Sequence, residues 1–218
     1  MSAPQPLFLI DGRCAHKTSN ALKITFMDGP DGEPLGIGEQ GANDGKGKKF
    51  ATLLGFKNGG TGNHRLKLRD GSVLNVASLE GKPSEFTRDD GTTVGTAVRG
   101  ATSQVLGAGG NVVLTLTSDP VEPRTPELFR VKVADAAGAP LAALDIIRKA
   151  SGWSLAQQII RADAALYWWD HAGAPLPIPI LGARIAAFRA FSDTERDLLL
   201  AVCVDIVIGL RPYIAEMQ

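Results

Sequence analysis

The stretch that most constrains this chain lies near its C-terminal end, where residues 192–212 read SDTERDLLLAVCVDIVIGLRP. From 198 to 210 every residue is apolar except Asp205 and Gly209. Apolar residues fall on all faces of a 3.6-residue period, which is how a helix enclosed on every side reads. Ser192 followed by Glu195 matches a capping box, with the hydroxyl and the carboxylate each taking a free backbone N–H. Asp193 and Glu195 place negative charge at the positive end of the helix dipole, and Arg211 is expected to serve the other end. Pro212 is expected to stop the helix. A membrane span needs roughly 20 apolar residues. This run has 13 positions and contains a carboxylate, so it reads as a core helix.

Upstream, short alternating runs are separated by Asp, Asn and Gly. Residues 21–27 place Leu22, Ile24 and Phe26 on one face and Lys23 and Thr25 on the other, a half-buried strand. Residues 7–10 read as a strand ended by a turn at Asp11-Gly12, and 34–38 as the return from a turn at 28–32. Residues 41–49 read as a loop and 50–56 as a strand. Strands are expected at 64–69 and 72–78 around Asp70-Gly71, and at 85–87 and 92–99 around Asp89-Asp90-Gly91. Further pairs follow at 102–106 and 111–117, and at 127–133 and 140–147. A short helix is expected within 151–163, then strands at 165–169, 178–181 and 183–191. A strand–turn–strand unit recurring about every 20 residues points to a sandwich or barrel rather than to βαβ units.

Nothing divides the chain: 218 residues with 25 glycines and 13 prolines spread along it suit one turn-rich domain. The expected bounds are 7–213, with 1–6 a short disordered leader. Formal charge is zero, which removes a global attraction to nucleic acid. Cys14 and Cys203 have no metal-ligand spacing and imply no disulfide framework, and the start MSAPQPLFLIDG has no secretory signal pattern. A cytoplasmic protein is expected.

Strands with Asp-Gly turns, LKLRDGSVL and EFTRDDGTTVGTAV, then LFRVKVADAAGAPLAAL, then the helix ERDLLLAVCVDIVIGL, together resemble the tubby C-terminal-like superfamily. Within it the LURP-one-related and phospholipid-scramblase-like proteins are the nearest in pattern. The resemblance runs from about residue 7 to 213 and implies a mainly β fold: a closed antiparallel barrel of about twelve strands around a central hydrophobic C-terminal α-helix. Closure removes exposed strand edges, and the helix fills the interior. The resemblance also implies binding of phosphoinositide headgroups through surface basic residues, without catalysis. The chain lacks the proline- and cysteine-rich lead-in of animal scramblases, and has no acidic calcium-binding segment beside the final helix.

The strongest local feature is basic. Lys46, Lys48, Lys49, Lys57, Arg65, Lys67 and Arg69 are opposed between 44 and 69 only by Asp44. Alternation puts Arg65, Lys67 and Arg69 on one face of a strand, with His64 beside them. Such a face suits an anionic phospholipid headgroup or a membrane surface that the protein visits peripherally, each contact being worth about 1 kcal/mol. A solvated outer face with lysines guarding an edge is the plainer alternative. A protein-interaction or scaffold domain with no lipid ligand is the competing function.

Other features point less far. Gly36-Ile37-Gly38-Glu39-Gln40-Gly41 spells G-x-G-x-x-G, but a dinucleotide fingerprint must open a helix. Asp205, inside the apolar run, needs a partner and is expected to meet an inward Arg, a Trp N–H or backbone near a barrel mouth. Trp168, Trp169 and His171 would make a pocket with it in an enzymatic reading. His16, His64 and His171 are isolated, so no catalytic residue, metal set or cofactor is expected.

Overall fold

A computed structural model describes residues 7–16, 22–28, 33–40, 62–78, 81–119, 128–147 and 181–215. Twelve strands run in chain order: β1 (Phe8–His16), β2 (Leu22–Met27), β3 (Pro34–Gln40), β4 (Gly62–Leu68), β5 (Val73–Ser78) and β6 (Ser84–Arg88). β7 (Thr93–Val98), β8 (Thr102–Gly107), β9 (Val112–Asp119), β10 (Leu128–Asp135), β11 (Pro140–Ile147) and β12 (Leu181–Ala187) follow, and the helix α1 (Asp193–Ala215) comes last. Every ladder is antiparallel between chain neighbours, and β1 pairs with both β2 and β12, so the sheet returns to its start as a closed barrel.

Four hairpins share one loop. In β4–β5, β6–β7, β8–β9 and β10–β11, a glycine N–H donates to the carbonyl three residues back: Gly71 to Leu68, Gly91 to Arg88, Gly110 to Gly107 and Gly138 to Asp135. The residue after each glycine closes the ladder, and the glycines lie at φ 84, 85, 77 and 82. This is a type I turn followed by a left-handed residue, which glycine adopts without a Cβ penalty. Asp70, Asp90 and Asp135 brace three of these loops by accepting backbone N–H bonds at 2.9–3.0 Å from Ser72, Thr92 and Ala137.

α1 occupies the barrel. Leu198, Leu199, Leu200, Ala201, Val202, Cys203 and Val204 are each at most 3% exposed. Seven consecutive residues sample every direction around a helix, so this part is enclosed on all sides. It packs on β4 through β9. The wall around it includes Leu66, Leu74, Val76, Phe86, Ala97, Leu114, Val133, Leu144 and Ile185. Gly95 lets β7 approach closely: a Cβ there would lie 2.7 Å from Leu198 Cδ2 and 2.2 Å from the Leu106 carbonyl oxygen. Burial pushes the Cys203 thiol up to about 12, which leaves it a small apolar filler.

The capping box forms as expected. Ser192 Oγ accepts from the Glu195 N–H at 3.2 Å, and the Glu195 carboxylate accepts from the Ser192 N–H at 2.8 Å. Three expectations are corrected. Asp11-Gly12 does not turn: both residues lie inside β1, opposite Met27 and Phe26 on one side and Arg184 and Ala183 on the other. Pairing on both sides overrides the local turn preference. The second is Pro212, which does not end α1; the helix runs on to Ala215. A proline removes one N–H bond and crowds one carbonyl, and here only the final turn lies beyond it. Third, the last turn contains no basic residue, so Arg211 does not sit at the dipole's negative end. The expected leader at 1–6, loop at 41–49, strand at 50–56, helix within 151–163 and strands at 165–169 fall outside the described residues.

Among the described residues, no helix is long and apolar enough to cross a membrane.

Candidate functional site

The outer face of β4 carries the basic row. Burial alternates along the strand: Leu66 and Leu68 point inward, while Arg65 and Lys67 are exposed on the outer side, and Arg69, exposed as well, is the first residue of the turn beyond the strand. His64, expected beside the cations, is 1% exposed and shares the inward face with Leu66. Lys46, Lys48, Lys49 and Lys57 lie outside the described residues. In sequence they fall between β3 and β4, and Gln40, the last residue of β3, pairs with His64 beside Arg65.

Two of the three described cations already have anions. Arg65 pairs with Asp89 of the β6–β7 turn, with Nε donating to Oδ1 at 3.2 Å. Asn75 Nδ2 donates to the same carboxylate at 3.3 Å. The hydrogen bond from Arg65 holds the Asp89 carboxyl below its usual range. Arg69 lies 3.3 Å from Glu33 and donates through Nε to the Pro34 carbonyl. Lys67 has no ionic partner among the described residues. Exposed pairs of this kind contribute about 0–1 kcal/mol each, so a multiply charged anion can compete for both guanidinium groups.

A cleft of about 460 Å³ opens where β3 and β4 meet the first turns of α1, lined by Leu35, Leu68, Arg69, Asp70, Arg196 and Leu200. Its rim is close to neutral. Arg69 faces Glu33, while Arg196 lies 3.3 Å from Asp193 and 3.1 Å from Asp197. Asp70 accepts from the Ser72 hydroxyl at 2.6 Å and from the Ser72 N–H, and these bonds lower its pKa.

Asp205 meets an arginine, as expected, but one that reaches in from a half-exposed position just beyond β7. Arg99 donates to Oδ1 at 2.8 Å, Ser84 Oγ donates to the same oxygen at 2.6 Å, and Arg99 also reaches Ser78 Oγ at 2.9 Å. Asp205 is therefore a buried carboxylate paired with a half-exposed arginine, and it does not line the cleft. Trp168, Trp169 and His171 lie outside the described residues, as does His16's side chain. Gly36 to Gln40 of the G-x-G-x-x-G run belong to strand β3, and Gly41 with the residues after it lies outside the described residues. No group of three or more His, Cys, Asp or Glu side chains is placed to hold a metal among the described residues.

Two buried carboxylates escaped the sequence reading. Asp197 is 2% exposed and pairs with Arg88 at 2.5 Å as well as with Arg196. Its place beside Glu195 and Arg196 made it look like part of a polar first turn. Asp145 is 4% exposed, between Arg130 at 2.5 and 2.8 Å and Arg184 at 2.5 Å. These three residues are register partners on β10, β11 and β12. Desolvation raises the Asp145 pKa, but the Arg130 hydrogen bond and the two guanidinium charges outweigh it, and the carboxyl is held below its usual range. The isolated Asp in PLAALDII was the only signal available.

No family model matches the chain, and no curated protein or solved structure matches it at a significant level.

Proposed function

We propose that the protein is a non-enzymatic, tubby-like binding module that holds the headgroup of an anionic phospholipid or phosphoinositide, acting peripherally at a membrane surface from the cytoplasm. The supporting observation is the exposed row of Arg65 and Lys67 on the outer face of β4, continued by the exposed Arg69 in the turn just beyond it. Alternate residues on one face of a strand lie about 7 Å apart, a spacing at which neighbouring cations can share one phosphorylated headgroup. Lys46, Lys48, Lys49 and Lys57 would add cations from the adjoining connection. A headgroup carrying several charges gains more from this row than Asp89 and Glu33 do through exposed pairs.

Co-sedimentation with phosphatidylcholine vesicles containing phosphatidylserine or a phosphoinositide tests the reading. Binding should fall as salt rises. Arg65→Glu, Lys67→Glu and Arg69→Glu together should abolish it without changing the unfolding temperature by more than a few degrees. If the native protein sediments with none of these vesicles, the reading is overturned.

The ion pairs favour a second reading, a protein-interaction surface with no lipid ligand. Arg65 beside Asp89 and Arg69 beside Glu33 give the face both signs. Such a mosaic suits a partner of complementary mixed charge. The same vesicle experiment separates the two.

A further inference from the structure

The two buried carboxylates of α1 lie eight residues apart, and both answer to strand β6. Ser84, Phe86 and Arg88 point inward from that strand. Ser84 donates to Asp205, Arg88 donates to Asp197, and the fully buried Phe86 lies between them. Arg99, just beyond β7, joins Ser84 on Asp205. The spacings agree: four residues of strand span about 13 Å, and eight residues of helix span about 12 Å. Eight residues also turn the helix by about 80° beyond two full turns, so both carboxylates stay in the quadrant facing β6.

We propose that these two polar anchors fix the axial register of α1 inside the barrel, with β6 as the ruler. Between them the helix is LLLAVCV, apolar on every face, and its wall is apolar too, mostly leucine, valine and alanine with Phe86 and Ile185. Such surfaces discriminate poorly between positions one turn apart. A slide of one turn, about 5.4 Å, brings Asp197 or Asp205 beside Phe86, which offers a carboxylate no donor. Fixing register is the best-attested use of buried polar groups. An apolar pair of similar volume would fill the same space at little loss of stability, so the anchors act on which position is occupied more than on how tightly the barrel holds.

The test is methyl NMR on three variants: Arg88→Met with Asp197→Leu; Ser84→Ala with Arg99→Met and Asp205→Leu; and all five substitutions combined. Either single-anchor variant should show one set of Leu198 and Val204 methyl resonances, with the native contact between Leu198 and Gly95. The combined variant should unfold cooperatively yet show two or more sets. One native set in the combined variant overturns the proposal. Loss of cooperative unfolding in it does so as well, because the anchors would then be holding stability rather than register.

Discussion

Arg189 donates to both carboxylate oxygens of Glu195, at 2.7 and 3.1 Å, and so ties the first turn of α1 to the chain that leaves β12. The same guanidinium reaches Asp135 at 3.2 Å in the β10–β11 hairpin. Glu195 thus closes the capping box and joins the helix to the barrel wall. The Arg189 hydrogen bond, helped by the Ser192 donors and opposed by partial desolvation, holds its carboxyl down at about 2.

A depressed carboxyl stabilises the fold above its unfolded value of about 4.5 and loses that contribution as pH falls toward 2. Glu195→Gln should therefore unfold at a lower temperature than the native protein at pH 7. A loss of about 1 kcal/mol corresponds to roughly 2–4 °C in a chain of this size. The gap should narrow below about pH 4.5 and close near pH 2, as measured by thermal melts across that range. A gap independent of pH would exclude the charged pair as its cause.

The two buried carboxylates of α1 should respond unequally to loss of an arginine. Arg99→Met leaves Asp205 with Ser84 alone among the described residues, whereas Arg88→Met leaves Asp197 with Arg196. Removing one partner of a buried pair costs about 3–5 kcal/mol. Arg99 is half-exposed, so Arg99→Met should fall near 3 kcal/mol, the lower edge of that range. Arg88→Met should cost about 1–2 kcal/mol, nearer the loss of one hydrogen bond to a charged group. Urea unfolding of both variants reads the order directly.

Gly95 is a packing requirement. Gly95→Ala places a methyl group 2.7 Å from Leu198 Cδ2 and 2.2 Å from the Leu106 carbonyl oxygen. Backbone must shift on β7 or β8, and such overpacking costs about 1–3 kcal/mol. The same substitution at Gly71, where a Cβ meets no atom within 4 Å, should reflect only the φ of 84. Denaturation midpoints of the two variants distinguish crowding from backbone strain.

Turn chemistry carried much of the fold into the sequence. Asp70-Gly71, Asp90-Gly91 and the run Asp135 to Gly138 mark hairpins whose strands appear within one or two residues of the expected bounds. The helix was equally legible, because its apolar run and capping box need no tertiary information. What could not be read depends on partners distant in sequence. Asp11-Gly12 stays extended because β2 and β12 pair with it on either side. Arg65 and Arg69 look like free cations until Asp89, 24 residues on, and Glu33, 36 residues back, are brought against them. Asp205 announced that it needed a partner, but only the fold selects Arg99.

The enclosed helix is the feature on which the whole barrel depends, and Val204→Asp tests it most directly. Val204 is fully buried between Cys203 and Asp205, so the new carboxylate would lie without a partner in the packed interior. Thermal melting followed by circular dichroism should show a cooperative transition for the native protein and none for the variant. A soluble Val204→Asp protein that melts cooperatively within about 4 °C of the native one, a loss of only about 1 kcal/mol, would contradict the placement of α1 at the centre of the barrel.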